Sequence, residues 1–379
     1  MQIKFMPVKS FLALSVTAVL VACSSSNQST SRTAHQQIQQ PSRAYGSSYD
    51  KPRSLENFQD YVQFLKNRAA KEGVSRAVLD AQNNINYMPK AVDLDRQQAG
   101  RIKKRDPNEP PVVNPNGTTN YLNRVLTQNK VDIAAERYWE VLPQLENASK
   151  KYGVQKDYLL ALWGMESSFG YYQGSYDVLS ALATLAFDGR REELFAKNFV
   201  MAMKMLERDH IQRSQMLGSW AGAMGQTQFM PTTFFSYAAD GDNDGQKNIW
   251  TNHYDVFASI ANYLHSVGWN DKLPWGVEVE LTQPLDMALA GIEANKKRSF
   301  SQWQAMGLQP KYSSPKTSQN WAALSSQGEE LWLVRPDREL GRAFLVTNNF
   351  RTLLDWNKSN YFAVSIGMFA DRIQQTIGQ

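Results

Sequence analysis

Across residues 58–206 the apolar side chains recur at the three- and four-residue spacing of helices, and strand-like alternation appears only after Trp269. This pattern predicts a mainly α body, α+β overall, with a small β-containing lobe. Phe58, Tyr61, Val62, Leu65 and Ala69 mark a first helix, and Ser75 is placed to N-cap a second. Tyr138, Trp139, Leu142, Leu145 and Ala148 read as one long helix ending at Tyr152-Gly153-Val154. Two further helices run from Leu179 to Leu206, joined near Arg190 and Arg191. Four prolines and Gly117 make 104–118 a surface loop. Residues 277–281, 331–334 and 343–346 read as strands around a helical piece at Trp303, and a last helix covers 361–377.

Inside the helical part stands Trp163-Gly164-Met165-Glu166-Ser167-Ser168-Phe169-Gly170, entered by the apolar run Tyr158 to Leu162. A helix from Gln155 to Ser168 puts Glu166 in its last turn. The negative end of the helix dipole and partial burial both disfavour the ionised carboxylate there, which suits a general acid. A solvated glutamate is the plain alternative on this stretch alone. Some fifty residues on, Gly222-Ala223-Met224-Gly225-Gln226-Thr227-Gln228-Phe229-Met230-Pro231 combines small residues with amides. Small residues permit close backbone approach, and Gln226 and Gln228 carry the donors and acceptors that read sugar hydroxyls and N-acetyl groups. Trp163, Tyr171, Tyr172, Trp220 and Tyr263 offer faces for stacking on sugars.

Asp240-Gly241-Asp242-Asn243-Asp244-Gly245 matches the first half of an EF-hand loop, with oxygen ligands at alternate positions and Gly at the sixth. The twelfth position is Thr251 rather than Glu, and Asp255 is available as a late carboxylate. The alternative is a polar turn without metal.

The chain opens with Lys4, Lys9 and an apolar run too short to span a bilayer, so 1–22 reads as an export signal. It ends Leu20-Val21-Ala22-Cys23, which resembles the bacterial lipobox. The expectation is cleavage before Cys23, lipidation of its thiol and, with Ser24 following, sorting to the outer membrane on its periplasmic face. Cys23 is the only cysteine, so an intramolecular disulfide is excluded. Residues 23–54, rich in Ser and Gln, form a flexible tether. The formal net charge of +5 is too mild to indicate nucleic acid, and no Lys/Arg run with interleaved aromatics occurs.

The Glu-Ser-Ser-Phe-Gly stretch followed by Gly-Gln-Thr-Gln-Phe-Met-Pro resembles the lytic murein transglycosylases. With Tyr152-Gly153-Val154, Arg190-Arg191, the Asp-rich loop, Ala261-Asn262-Tyr263-Leu264, Asn349-Phe350-Arg351 and Trp356-Asn357-Lys358-Ser359, the body is similar to the membrane-bound lytic murein transglycosylase B family over about residues 58–375. The resemblance implies a lysozyme-like helical core with an extra helical lobe. The helical catalytic region is expected over 55–276, the β-containing lobe over 277–346 and a returning helical segment over 347–379. It also implies Glu166 as the single catalytic acid/base, with Tyr121, Arg190, Arg191, Gln226, Tyr263 and Asn357 in a glycan groove. Ser167, Gln228 and Trp356, in or beside the same motifs, are assigned to that groove. Asp240, Asp242 and Asp244, with Asp255, become the calcium set, while the chemistry needs no cofactor. Two positions depart from the family pattern. The loop carries one more residue before Asp255 than in members that bind the ion. Trp356 stands where a groove tyrosine often sits, which keeps stacking and loses a hydroxyl.

The resulting expectation is a monomeric enzyme that cleaves the β-1,4 bond between N-acetylmuramic acid and N-acetylglucosamine in peptidoglycan strands. The product would be a 1,6-anhydro ring. Two competitors stand beside it: a hydrolytic muramidase using Asp177 or Asp188 as second carboxylate, and a non-catalytic murein-binding lipoprotein.

Overall fold

The computed structural model describes residues 53–101, 114–209, 211–312 and 314–378. The export signal, Cys23, most of the tether and most of the proline-rich stretch lie outside the described residues.

The fold is mainly helical and lysozyme-like, with a small sheet inserted before its last two helices. At its centre runs Lys156–Ser167, in which every residue from Tyr158 to Met165 is buried. A helix apolar on all sides must be enclosed on all sides. Asn360–Ile377, Gln128–Glu140, Leu142–Tyr152 and His253–Ser266 pack around it. Val178–Asp188 and Glu192–Arg208 form an antiparallel pair beside this centre, covered by Phe58–Lys71 and Pro89–Arg101. Among the described residues no helix is long and apolar enough to cross a membrane.

The long helix expected through Tyr138 and Ala148 is two helices, broken at Val141. Pro143 lacks an N–H and is tolerated only in a first turn, so the apolar periodicity continues while the hydrogen-bond ladder restarts. Ser75 accepts from the Val78 amide, as its capping position requires.

Five antiparallel strands follow Trp275, in the order Arg298–Ser299, Glu330–Val334, Ala343–Val346, Gly276–Leu281, Leu308–Pro310. They enclose a second core of Val277, Val279, Trp303, Leu331, Leu333 and Leu345. The alternation at 277–281 places Glu278 on a face that proves to be covered. It is 7% exposed and bound by Arg342 and Lys311, so two cations take the place of water. Asn348–Trp356 and Asn360–Ile377 then lead back to the central helix.

Candidate active site

Glu166 occupies the last turn of Lys156–Ser167, and Ser168 caps that helix in left-handed conformation. Ser168, Phe169 and Gly170 have φ of 49°, 60° and 83° in succession. Two consecutive non-glycine residues in this region are a strained arrangement that surrounding contacts must hold. Those contacts are visible. Phe169 folds its ring back over Gly164, where a Cβ would lie 2.6 Å from the ring, and meets Trp163 edge-on at 5.4 Å. The Ser167 hydroxyl donates to the Trp163 carbonyl and accepts from the Gly170 amide. Ser167 is fully buried, and these two bonds fasten the turn.

Burial pushes Glu166 up to about 7, opposed by one hydrogen bond: the Trp356 indole N–H donates to Glu166 Oε1 at 2.7 Å. No charged side chain figures among the causes of the shift. Trp356 is itself held between Phe229 at 5.3 Å and Tyr263 at 4.9 Å, and Tyr237 backs Tyr263 at 4.7 Å. Tyr121, largely buried against Tyr361, lies close enough to Glu166 for its phenol to feel the carboxylate. Asn357 follows Trp356 directly, at the end of Asn348–Trp356. Glu166, Tyr121, Tyr263 and Trp356 therefore come together from four helices, with Asn357 next in the chain. Sequence periodicity gave no sign of three other neighbours: Phe229 and Tyr237 in the aromatic wall, and Lys130, whose ammonium reaches the Gly164 carbonyl at 3.4 Å.

Other expected groove residues have protein partners. Gln226 is 4% exposed; its Oε1 accepts from the Trp163 indole at 2.6 Å and its Nε2 donates to the Trp250 carbonyl at 2.8 Å. Trp163 is likewise buried, so it offers no stacking face. Gln228, at φ 51°, donates to the carbonyls of Gln173 and Gly225, clamping one loop to the other. Arg190 and Arg191 converge on Asp95, which is 1% exposed. Two cations at a helix start would oppose the dipole, and this buried carboxylate offsets them.

Asp240, Asp242 and Asp244 each bring a carboxylate oxygen within 4.8 Å of the others, a hard-oxygen set that fits calcium. Asp255 does not join them: its Oδ1 accepts from the Gly241 amide and its Oδ2 from the Asn248 amide, both at 2.7 Å. Asp255 is fully buried and braces the ends of the loop, apart from the three clustered carboxylates.

The two aspartates weighed as second carboxylates are occupied elsewhere. Asp177 caps Val178–Asp188 through the Ser180 amide and is bridged by Arg213. Burial pushes it upward, but those bonds prevail and hold it below the ordinary carboxylate value. Asp188 is ion-paired with Arg96.

Comparison with known proteins shows what the chain as a whole is similar to. The family described as Transglycosylase SLT domain matches residues 57–371. Membrane-bound lytic murein transglycosylase B of Escherichia coli (strain K12) is 29% identical over 252 residues, 65% of this chain; the chain spans 62% of that relative's length. SltB3 from Pseudomonas aeruginosa, solved in complex with NAG-anhNAM-pentapeptide, superposes with a TM-score of 0.71 at 35% identity, covering 84% of this chain and 79% of that one. The lytic transglycosylase Slt35 of Escherichia coli, solved in complex with calcium, shares the fold at a TM-score of 0.67 and 24% identity, covering 84% of this chain and 94% of that one.

Proposed function

The chain belongs to the Transglycosylase SLT domain family, and from that membership and the pocket around Glu166 we propose that it is a lytic transglycosylase of peptidoglycan. It cleaves the β-1,4 bond between N-acetylmuramic acid and N-acetylglucosamine and leaves 1,6-anhydro ends, in cell-wall turnover and remodelling. The observation that carries this reading is the solitude of Glu166: raised to about 7 by burial, bonded to an indole, and with no carboxylate among the described residues acting on it. A retaining glycosidase of the ordinary kind needs a second carboxylate about 5 Å away. Asp177 and Asp188 are tied to Arg213 and Arg96, which disfavours the two-carboxylate muramidase. A mere murein binder gains nothing from a carboxyl that burial has raised to about 7 beside an aromatic wall.

In the proposed reaction Glu166 gives its proton to the glycosidic oxygen as the C1–O bond breaks and the electron pair leaves with that oxygen. The substrate's own acetamido oxygen stabilises C1. Glu166, now a base, takes the C6 hydroxyl proton as O6 closes on C1; no water is consumed. Tyr121, Tyr263, Trp356 and Asn357 line the sugar's side of the pocket. Ser167, Gln226 and Gln228 shape it by holding the loops, while Arg190 and Arg191 contribute what their Asp95 pairing leaves free.

The same proposal includes anchoring to the periplasmic face of the outer membrane through lipidated Cys23, action as a monomer, and a structural calcium ion held by Asp240, Asp242 and Asp244. SltB3's complex with an anhydro-muropeptide and the membrane-bound relative support the substrate and the anchoring. Mass analysis of murein digested by the purified protein tests the reaction. Anhydro ends are expected; reducing ends heavier by one water would indicate the hydrolase, and no product the binder.

A further inference from the structure

We propose that Trp356 is a positioning residue which fixes the labile proton of Glu166 on Oε2, so that both proton transfers of the reaction pass through one oxygen atom. The proposal rests on the reading of Glu166 as the acid/base. Its basis is a chemical asymmetry. An indole N–H is a donor and never an acceptor. Trp356 Nε1 lies 2.7 Å from Glu166 Oε1, so Oε1 must present a lone pair to it whether the carboxyl is ionised or neutral. In the neutral form the carbonyl oxygen is the better acceptor, so Oε1 takes that role and the proton goes to Oε2. A phenol at this position would donate to one form and accept from the other, and either carboxyl oxygen could then carry the proton.

The indole cannot swing away cheaply. Phe229 at 5.3 Å and Tyr263 at 4.9 Å hold its ring, and Tyr237 holds Tyr263. The residue reaches Glu166 from 190 positions away, at the end of Asn348–Trp356. The following helix, Asn360–Ile377, packs against the catalytic helix, and its Phe369 meets Phe169 at 6.4 Å. Donor and carboxylate are thus referenced to the same core. Oε2 delivers the proton to the leaving oxygen as that bond breaks, and the same Oε2 receives the C6 hydroxyl proton as the new C–O bond forms. The carboxyl need not rotate between the two half-reactions. The N–H bond also favours the anion, which opposes the effect of burial.

Trp356→Phe retains an aromatic ring against Phe229 and Tyr263 and removes the donor. A hydrogen bond to a charged group has a strength that corresponds to a loss of kcat of about 10- to 100-fold. KM is expected to stay near wild type. The alkaline limb of the kcat profile should move up by about one pH unit, because the anion has lost its donor. Trp356→Tyr, which restores a donor, should return the limb towards wild type. If Trp356 served only to stack on sugar, Trp356→Phe would raise KM and leave the limb in place, and that result overturns the proposal. Should Trp356→Phe fail to fold, the wild-type protein provides a second measurement. Its tryptophan emission should titrate near pH 7 and lose that component in Glu166→Gln; an identical titration in both proteins overturns the proposal. Absence of anhydro product from the wild-type enzyme would instead sink the assigned reaction, so the two failures are distinguishable.

Discussion

Gly170→Ala isolates how the turn after Glu166 is held. Gly170 has φ of 83°, and a Cβ there would lie 2.5 Å from Gln226 Oε1 and 2.8 Å from the carboxamide carbon. Two costs add. Left-handed backbone costs an L-residue about 1–2 kcal/mol. The clash displaces an amide that joins the Trp163 indole to the Trp250 carbonyl, and Trp163 is 1% exposed. Leaving one such buried group unsatisfied costs about 1–3 kcal/mol. The expected loss is therefore about 2–5 kcal/mol, a fall in Tm of about 3–8 °C for a chain of this size. A double-mutant cycle with Gln226→Ala separates the terms. Without the amide the clash is gone, and Gly170→Ala should cost only its backbone term, giving a coupling of about 1–3 kcal/mol. Denaturant melts of the four proteins measure it. Additivity to within about 0.5 kcal/mol would mean that Gln226 relaxes freely and does not clamp the turn.

Four further outcomes are expected. Glu166→Gln should reduce turnover of purified glycan strands by at least ~10²–10⁴-fold while strand binding persists, whereas folded Asp177→Asn keeps most activity and loses some Tm; near-wild-type turnover by Glu166→Gln would refute the assignment. Burial pushes Asp371 up to about 6 and Asp157 up to about 7, so both bind protons more tightly folded than unfolded. Their contribution to stability is fullest below about pH 4 and is lost as pH rises through 6 to 7. Asp371→Asn can still accept from the Trp275 indole and should flatten that slope in melts across the range; an unchanged slope would be the contrary result. Chelation should lower Tm without abolishing turnover by the folded protein, and equal Tm in excess calcium and chelator would remove the ion from the account. Cys23→Ser should leave the membrane fraction with its activity intact, which high-salt sedimentation checks.

The central helix was legible almost to the residue, because a segment apolar on every side followed by Ser168, Phe169 and Gly170 has few ways to end. The place of Glu166 in its last turn was legible with it, since helix ends are set locally. The break at Val141 was signalled by Pro143, yet apolar spacing alone ran straight through it: side-chain periodicity does not see a missing backbone donor. What escaped entirely is the choice of partners. Nothing in the local sequence says that Gln226 spends its amide on Trp163 and Trp250, or that Arg190 and Arg191 meet Asp95 from nearly a hundred residues away. Spacing counts oxygens and so included Asp255, but it does not show that the backbone amides of Gly241 and Asn248 each donate to one of its carboxylate oxygens.

Trp356 marks the same boundary from the other side. Its sequence position suggested an aromatic face for sugar, which is a property of the ring alone. Its bond to Glu166 depends on Asn348–Trp356 packing on Asn360–Ile377, and on that helix packing against the central one. A residue type fixes which hydrogen bonds are possible, here donation only. The tertiary fold decides which acceptor receives them. The chemistry of this pocket follows from the two together: burial raises the carboxyl, and a donor-only neighbour determines where its proton resides.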